Sequence, residues 1–235
     1  SDGIRIVDDS DIVRFVPTQT GEDTIGTFEF VLSGAELDLT SNNEDIDAIG
    51  VDAAGNLVIS TIGTLKAGGL VAADEDLVVI ENGTHALSLL FDGSDVGLTT
   101  GNEDVTGLIV QGNKLYLTTK GSFRAQGSNS VRGNAYDILV CELLSSGEDT
   151  QCLFSAFVNL YFYGLRDGID GMSLGAAGAQ GARSIDAHNG QVQVVEEDVA
   201  QFEVLAEEPD AEADPEMDVY DLPVEELDQS IFLPF

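Results

Sequence analysis

Residues 37–47 read LDLTSNNEDID, and a related stretch, VGLTTGNEDVT, occupies residues 96–106, 59 positions further along the chain. After a shift of one residue the similarity continues, because LVISTIGTL at 57–65 matches LYLTTKGSF at 115–123. A repeat of about 60 residues is typical of stacked or radially arranged β units. The sequence therefore predicts a repeat architecture rather than a single catalytic fold.

Short runs of the β type indicate how each unit is built. Runs such as IVRF (12–15), LVIS (57–60) and DILV (137–140) are separated by Gly, Asn, Asp and Ser, which are turn residues. We expect four strands in each unit, with a glycine-rich loop at 63–73 of the first copy. Four strands make one propeller blade or one unit of a stacked array. The predicted fold class is all-β, with propeller-like or stacked four-stranded repeat units.

Partial copies at both ends divide the chain. DSDIVRF at 9–15 matches DEDLVVI at 74–80, and DGIDGMSL at 167–174 matches EDIDAIGV at 44–51. Half units predict either closure within one chain or completion by strands of a neighbouring copy, which gives a ring or a filament. The predicted divisions are a β-repeat domain at 1–195, made of a half unit (1–32), units at about 33–91 and 92–159 and a half unit (160–195), and an acidic C-terminal extension at 196–235.

The charge balance limits the partners. The chain has 235 residues, with nine Lys plus Arg against 43 Asp plus Glu and a formal net charge of −34. Most carboxylates therefore lack a basic partner, so bound cations or salt should stabilise the compact state. This balance excludes nucleic acid, which requires clustered basic residues. No apolar run approaches the roughly 20 residues of a membrane span.

The two cysteines flank a polar turn. Cys141 and Cys152 lie on either side of residues 145–150, between two apolar runs. This placement predicts a disulfide across a hairpin, with two free thiols as the alternative. A disulfide would indicate an oxidising compartment.

Oxygen-bearing side chains recur at alternate positions. Asn43, Asp45 and Asp47 would point to one face of a strand, and Asn102, Asp104 and Thr106 repeat the pattern. Because Ca²⁺ takes about six to eight oxygen ligands, the recurrence predicts at least one calcium site. The alternatives are acids that cap backbone N–H groups in turns and a salt-adapted acidic surface. Further candidate ligands are Asp9 with Asp11, Asp74 with Asp76, Asp92 with Asp95, and Asp167 with Asp170.

Catalytic patterns are sparse. His85 and His188 both lie in turns and are expected to be surface residues, and the metalloprotease pattern H-E-x-x-H does not occur. We therefore expect no enzymatic activity. Tyr161 and Tyr163 could stack on a glycan, although a buried strand is the alternative for this aromatic run. Glycoside hydrolysis by two of the many Asp residues is a further alternative.

The acidic extension ends in an apolar segment. Residues 231–235 read IFLPF, and Ile231, Phe232, Leu233 and Phe235 are predicted to dock in a groove of their own domain or of a neighbouring subunit.

Several segments resemble a known class of repeats. LFDGSDVGL (90–98), NEDIDA (43–48) and ISTIG (59–63) are similar to the Asp-rich repeats of large secreted bacterial proteins with propeller-like β units. The resemblance covers roughly residues 1–175 and implies an extracellular or cell-surface location but no reaction. Together with the half units, it predicts a secreted, cation-stabilised structural protein that assembles with copies of itself into a surface fibre or layer.

Overall fold

The computed structural model describes residues 6–160, 164–165, 167–174 and 202–206, with the backbone alone at 155–159, 174 and 202–206. This part of the chain consists of β-strands, turns and short 3-10 helices, which confirms the predicted all-β class. Two 3-10 helices span Gly34–Leu37 and Ser94–Val96. The strands are β1 (Ile12–Gln19), β2 (Ile25–Leu32), β3 (Ile46–Val51), β4 (Leu57–Thr61), β5 (Leu65–Ala67), β6 (Leu70–Ala72), β7 (Leu77–Ile80), β8 (Leu87–Phe91), β9 (Val105–Gln111), β10 (Lys114–Thr119), β11 (Phe123–Gln126), β12 (Ser130–Gly133), β13 (Asp137–Ser145), β14 (Gln151–Asn159), β15 (Ile169–Leu174) and β16 (Phe202–Ala206).

Two four-stranded antiparallel sheets form the centre of the molecule. The first sheet has the strand order β3-β4-β7-β8, and the second has the order β9-β10-β13-β14. Each carries a two-stranded hairpin between its second and third strands, β5-β6 in the first and β11-β12 in the second. The terminal sheets, β1-β2 and β15-β16, have two strands each. In the described part of the chain, none of these sheets closes on itself.

The glycine-rich segment at 63–73 is not the loop that the sequence predicted. It contains strands β5 and β6, joined directly by Gly68 and Gly69. Their φ angles are 58° and 83°, as required at both central positions of a type I′ hairpin turn. The glycines therefore form a tight turn between two short strands.

Apolar side chains fill the spaces on both faces of the two central sheets. Val58 and Leu77 of the first sheet pack with Leu115 and Leu117 of the second. Their chain neighbours Ile59 and Val78 point to the opposite face and pack with Ile12 and Leu32 of the β1-β2 sheet. On the far face of the second sheet, Ile138 and Val140 pack with Leu160, Leu165 and Ile169 of β15. Burial on both faces explains why these strands are almost continuously apolar.

A disulfide joins Cys141 and Cys152, with their Cα atoms 5.4 Å apart. It links β13 to β14, and both residues belong to the core between the two central sheets. Their exposed fractions are 0% and 1%, so the bond is inaccessible to solvent.

One strand lies beyond the predicted repeat domain. Residues 202–206, which belong to the predicted acidic extension, form β16 and pair with β15. The boundary at 195 therefore separates two strands of one sheet. Among the described residues, no helix is long and apolar enough to cross a membrane.

Candidate functional site

A cavity of about 320 Å³ opens between the first strands of three sheets, β3, β9 and β15. Asp47, Thr106 and Asp170 line it, together with Ser173 and with apolar and glycine residues. These three residues occupy matching positions in the aligned stretches DID, DVT and GID, which end at residues 47, 106 and 170. The repeat thus contributes three of the four oxygen-bearing side chains around this cavity, and Ser173 is the fourth.

A β-bulge at each matching position sets the geometry of these side chains. In β3, pairing with β4 passes from Ile46 directly to Ala48 and leaves Asp47 unpaired. The pairing of β9 with β10 skips Thr106 in the same way, and the pairing of β15 with β16 skips Asp170. A bulge inserts one extra residue into a strand and changes the direction of its side chain. Strict strand alternation, on which the sequence analysis depended, therefore fails at these positions.

The carboxyl group of Asp47 contacts that of Asp104, which precedes β9. The Asp104 side chain is only 2% exposed, and the buried Oδ1 atoms of both residues have no hydrogen-bond partner. Burial and the neighbouring Asp104 carboxylate raise the pKa of Asp47 to about 8. Burial also raises the pKa of Asp104, although the hydrogen bond with Asp47 acts in the opposite direction. The pair is therefore short of positive charge.

Nearby charged groups leave this deficit largely uncorrected. The Lys120 Nζ atom lies 3.5 Å from Asp104 Oδ2, but 61% of the Lys120 side chain is exposed, so solvent weakens its effect. The negative charge of Asp74 raises the pKa of Asp104 further. Burial and a hydrogen bond with Asp74 raise the pKa of Glu75 to about 8. Acidic groups therefore outnumber basic ones around the pair.

Two carboxyl groups in direct contact can share a proton or bind a cation between them. Within the described ranges, no group of three or more His, Cys, Asp or Glu side chains converges to hold a metal ion. A cation at this pair would take its other ligands from carbonyl oxygens, hydroxyl groups or water.

Several other predicted ligands are bound to backbone groups. Asp76 accepts hydrogen bonds from the N–H groups of Ala73 and Gly93, at 2.7 and 2.8 Å. The Asp92 carboxylate accepts from Ser94, and that of Asp95 from the N–H of Thr150. These acids therefore bind backbone N–H groups, some in their own turns and some in distant segments.

The remaining candidates do not converge with the Asp47–Asp104 pair in a common group of ligands. Asp11 accepts the N–H groups of Asp8 and Gly34, at 3.1 and 3.0 Å. Asp45 is half-buried, and its carbonyl oxygen accepts the Ile62 N–H at 3.0 Å. Four further candidates have exposed side chains: Asn43, Asn102, Asp9 and Asp167.

Two buried glutamates have structural roles that the sequence analysis missed. Glu103 Oε2 accepts the N–H groups of Thr99 and Thr100, at 2.8 and 2.9 Å, while Oε1 accepts the N–H of Arg124 at 3.0 Å. Glu44 makes the corresponding bonds to residues 40, 41 and 66. Burial alone would raise the pKa of each glutamate, but these donors lower it overall. The capping-box pattern, Ser or Thr followed three residues later by Glu, was the available signal.

Other candidate residues lie outside the described residues. They are the aromatic residues Tyr161 and Tyr163, the turn residue His188, and the apolar segment Ile231, Phe232, Leu233 and Phe235. His85 is described and is an exposed turn residue with a φ angle of 58°.

No known protein family, no curated protein and no solved structure was found to match this chain. The resemblance to secreted Asp-rich repeats therefore stays a prediction from the segments quoted above.

Proposed function

We propose that the chain is an extracellular structural protein that is stabilised by bound cations and assembles with other copies of itself into a surface fibre or layer. One observation carries the proposal: among the described residues, the β1-β2 and β15-β16 sheets have half as many strands as the two central sheets, and they lie on opposite sides of them. An open sheet edge is a template for a further strand. Two different sheet edges that are open in the described part of the chain favour head-to-tail association, which produces rings or filaments.

The proposed units are two complete repeats flanked by two half repeats. Supporting this reading, the order 3-10 helix, two strands, hairpin and two strands occurs both in residues 34–91 and in residues 94–159. The matching hydrogen bonds of Glu44 and Glu103 give further support. Whether such units stack in a line or arrange around an axis as in a propeller depends on the rotation between subunits.

The proposed cation is Ca²⁺ at the Asp47–Asp104 pair. Support comes from the two buried carboxylate oxygens without hydrogen-bond donors and from the raised pKa of Asp47. Ca²⁺ accepts carboxylate, hydroxyl, carbonyl and water oxygens in flexible geometry, so two carboxylates suffice as the charged ligands.

The proposed location is the cell surface or the extracellular space. The disulfide between Cys141 and Cys152 supports it, because such bonds persist in oxidising compartments. The proposed role is structural and includes no catalytic reaction.

Sedimentation and negative-stain imaging of the purified protein, with Ca²⁺ and with a chelator, test the proposal. We expect concentration-dependent oligomers or filaments in Ca²⁺ that dissociate on chelation. A monomer at all concentrations, with the same melting temperature in both conditions, would contradict both parts of the proposal.

A further inference from the structure

We propose that strand β16 of one copy pairs with strand β1 of a second copy, so that β15-β16 and β1-β2 together form one four-stranded sheet. The inference rests on the proposed function, because it names the two strands through which the copies would join. It follows from contacts in the two terminal sheets that match those in the central sheets.

The β1-β2 sheet reproduces the third and fourth strands of the first sheet. Asp11 Oδ1 accepts the N–H of Gly34 at 3.0 Å, just as Asp76 Oδ1 accepts the N–H of Gly93 at 2.8 Å. The strand pairing also matches, because the register shifts after the first residue of β1 and, in the same way, after the first residue of β7. The corresponding pairs are Ile12 with Leu32 and Val13 with Phe30 in β1-β2, and Leu77 with Phe91 and Val78 with Leu89 in β7-β8.

The β15-β16 sheet reproduces the first and second strands of the first central sheet, β3 and β4. Its bulge at Asp170 matches the bulge at Asp47 in β3. The N–H of Ile169 donates to the carbonyl oxygen of Ala135 at 3.2 Å, and the N–H of Ile46 donates to that of Asp9 at the same distance. As far as the structure describes them, each terminal sheet therefore has the half of a four-stranded unit that the other lacks.

The two strand edges that would meet, those of β16 and β1, correspond to strands that pair with each other in each central sheet. The second and third strands pair as β4 with β7 and as β10 with β13. In the described part of the chain, β16 pairs only with β15 and β1 only with β2. The β16 edge and the β1 edge are thus available for the missing second-to-third pairing.

The central sheet also sets the register of the proposed pair. Ile59 pairs with Ile49 on one side and with Val78 on the other. In the terminal sheets, Val204 takes the place of Ile59 through its pairing with Met172, and Val13 takes the place of Val78. The resulting antiparallel pairs are Val204 with Val13, Glu203 with Arg14, and Phe202 with Phe15.

The residue types at this register are complementary. An acidic residue falls opposite a basic one, and apolar residues fall opposite apolar ones, which are the cross-strand pairs that stabilise antiparallel sheets. The Arg14 side chain is 69% exposed, and it contacts only Glu29 among the described ion pairs. Phe15 and Phe28, whose rings lie 5.1 Å apart, are 38% and 73% exposed. A second copy would cover this apolar surface of the β1-β2 sheet.

Cysteine cross-linking tests the register. The variant Arg14→Cys is mixed with the variant Glu203→Cys under mild oxidation, and products are resolved on non-reducing gels. We expect the mixture to give a covalent dimer, and the double variant Arg14→Cys/Glu203→Cys to give a ladder of higher species. The matched control, Arg14→Cys with Val204→Cys, is displaced by one position and should cross-link at least fivefold less. The native disulfide is buried and should not exchange.

The outcomes separate the inference from the proposed function. Oligomers in sedimentation without a cross-link at this register, or with equal cross-linking in the control, would overturn the inference and leave self-assembly standing. A covalent link within one monomer would show closure of the chain on itself and overturn the inference. Absence of any assembly would overturn both. Hydrogen exchange of the unmodified protein gives a second measurement, because assembly should slow exchange at residues 12–16 and 202–206 together.

Discussion

The carboxyl group of Asp47, in the bulge of β3, lies against that of Asp104, in the turn before β9, and both keep a buried oxygen without a donor. Asp47 lies in the first central sheet and Asp104 directly precedes the first strand of the second, so their contact couples the electrostatics of the site to the packing of one sheet on the other. Like charges in a buried place destabilise the folded state unless a proton or a cation intervenes. This relationship leads to the first two predictions.

Without divalent cations, we expect the melting temperature to fall as the pH rises from about 5 to about 8. The pKa of Asp47 is about 8 in the folded state and 3.8 in the reference state. Its contribution to stability is therefore complete below the lower value and is lost as the pH approaches the upper one. Glu75, with a folded pKa of about 8, acts in the same direction. Thermal melts across this range with a chelator and with millimolar Ca²⁺ measure the effect. Ca²⁺ should flatten the curve at high pH, and a melting temperature that rises with pH would contradict the prediction.

The substitution Asp104→Asn should raise the melting temperature at pH 8 in chelator and abolish the response to Ca²⁺. The amide removes one negative charge and can donate a hydrogen bond to Asp47, while the Lys120 contact that it loses is largely exposed. Each kcal/mol gained would shift the midpoint by about 2–4 °C in a chain of this size. The matched control is Asp170→Asn, an exposed acid at the same cavity, which should leave the pH dependence unchanged. An Asp104→Asn variant with the wild-type calcium response would exclude this pair as the cation site.

The substitution Glu103→Gln should destabilise the fold by about 2–4 kcal/mol, because a Gln amide nitrogen cannot accept the N–H groups that now bind the carboxylate, and each buried donor without a partner costs about 1–3 kcal/mol. Glu44→Gln should behave alike, since Glu44 makes the same set of bonds. Urea denaturation measures both variants. The exposed residue Glu36 supplies the control, and Glu36→Gln should stay within about 0.5 kcal/mol of wild type. Equal stability of all four proteins would show that the buried glutamates are dispensable.

Much of the fold could be predicted because it depends on local patterns. Runs such as 57–60 and 77–80 lie within strands, and residues 146–150 of the predicted polar turn lie between β13 and β14. The hairpin at 65–72 was missed although its Gly-Gly turn was visible in the sequence. The signal was the pair Gly68 and Gly69, because a tight hairpin turn requires positive φ angles at both central positions and glycine adopts them readily.

The site was predictable only in part because a bulge breaks the two-residue period of a strand. The sequence predicted Asp45 beside Asp47, as strict alternation requires. In the structure Asp47 contacts Asp104 instead, a residue 57 positions away in the turn that leads into the next sheet. Neither the bulge nor the packing of β3 against β9 can be read from the spacing of acids. The acids that cap turns, such as Asp76, also look the same in sequence as those that face the cavity.

Replacing both Cys141 and Cys152 with alanine should cost about 2–4 kcal/mol of stability, since the bond closes a loop of 11 residues and its atoms belong to the core. In the native protein, the disulfide should resist reductant and should react only as fast as the chain unfolds, because both residues are almost fully buried. Thiol labelling over time with and without urea measures this protection. Rapid labelling of the native protein would show that β13 and β14 separate at their turn without global unfolding.

Charge reversal across the proposed joint between copies should weaken assembly and then restore it. Arg14→Glu places an acid opposite Glu203, and like charges directly opposite in a sheet are destabilising by about 0.2–1 kcal/mol. Each single variant, Arg14→Glu or Glu203→Arg, should therefore raise the concentration needed for half-assembly by up to about fivefold. Because Arg14 also contacts Glu29 within its own hairpin, a single variant alone does not separate a folding effect from an interface effect. The double variant Arg14→Glu/Glu203→Arg does, since it keeps the altered hairpin but restores opposite charges between copies. Sedimentation of the four proteins measures the effect, and a double variant as weak as Arg14→Glu would assign the loss to the hairpin rather than to the joint.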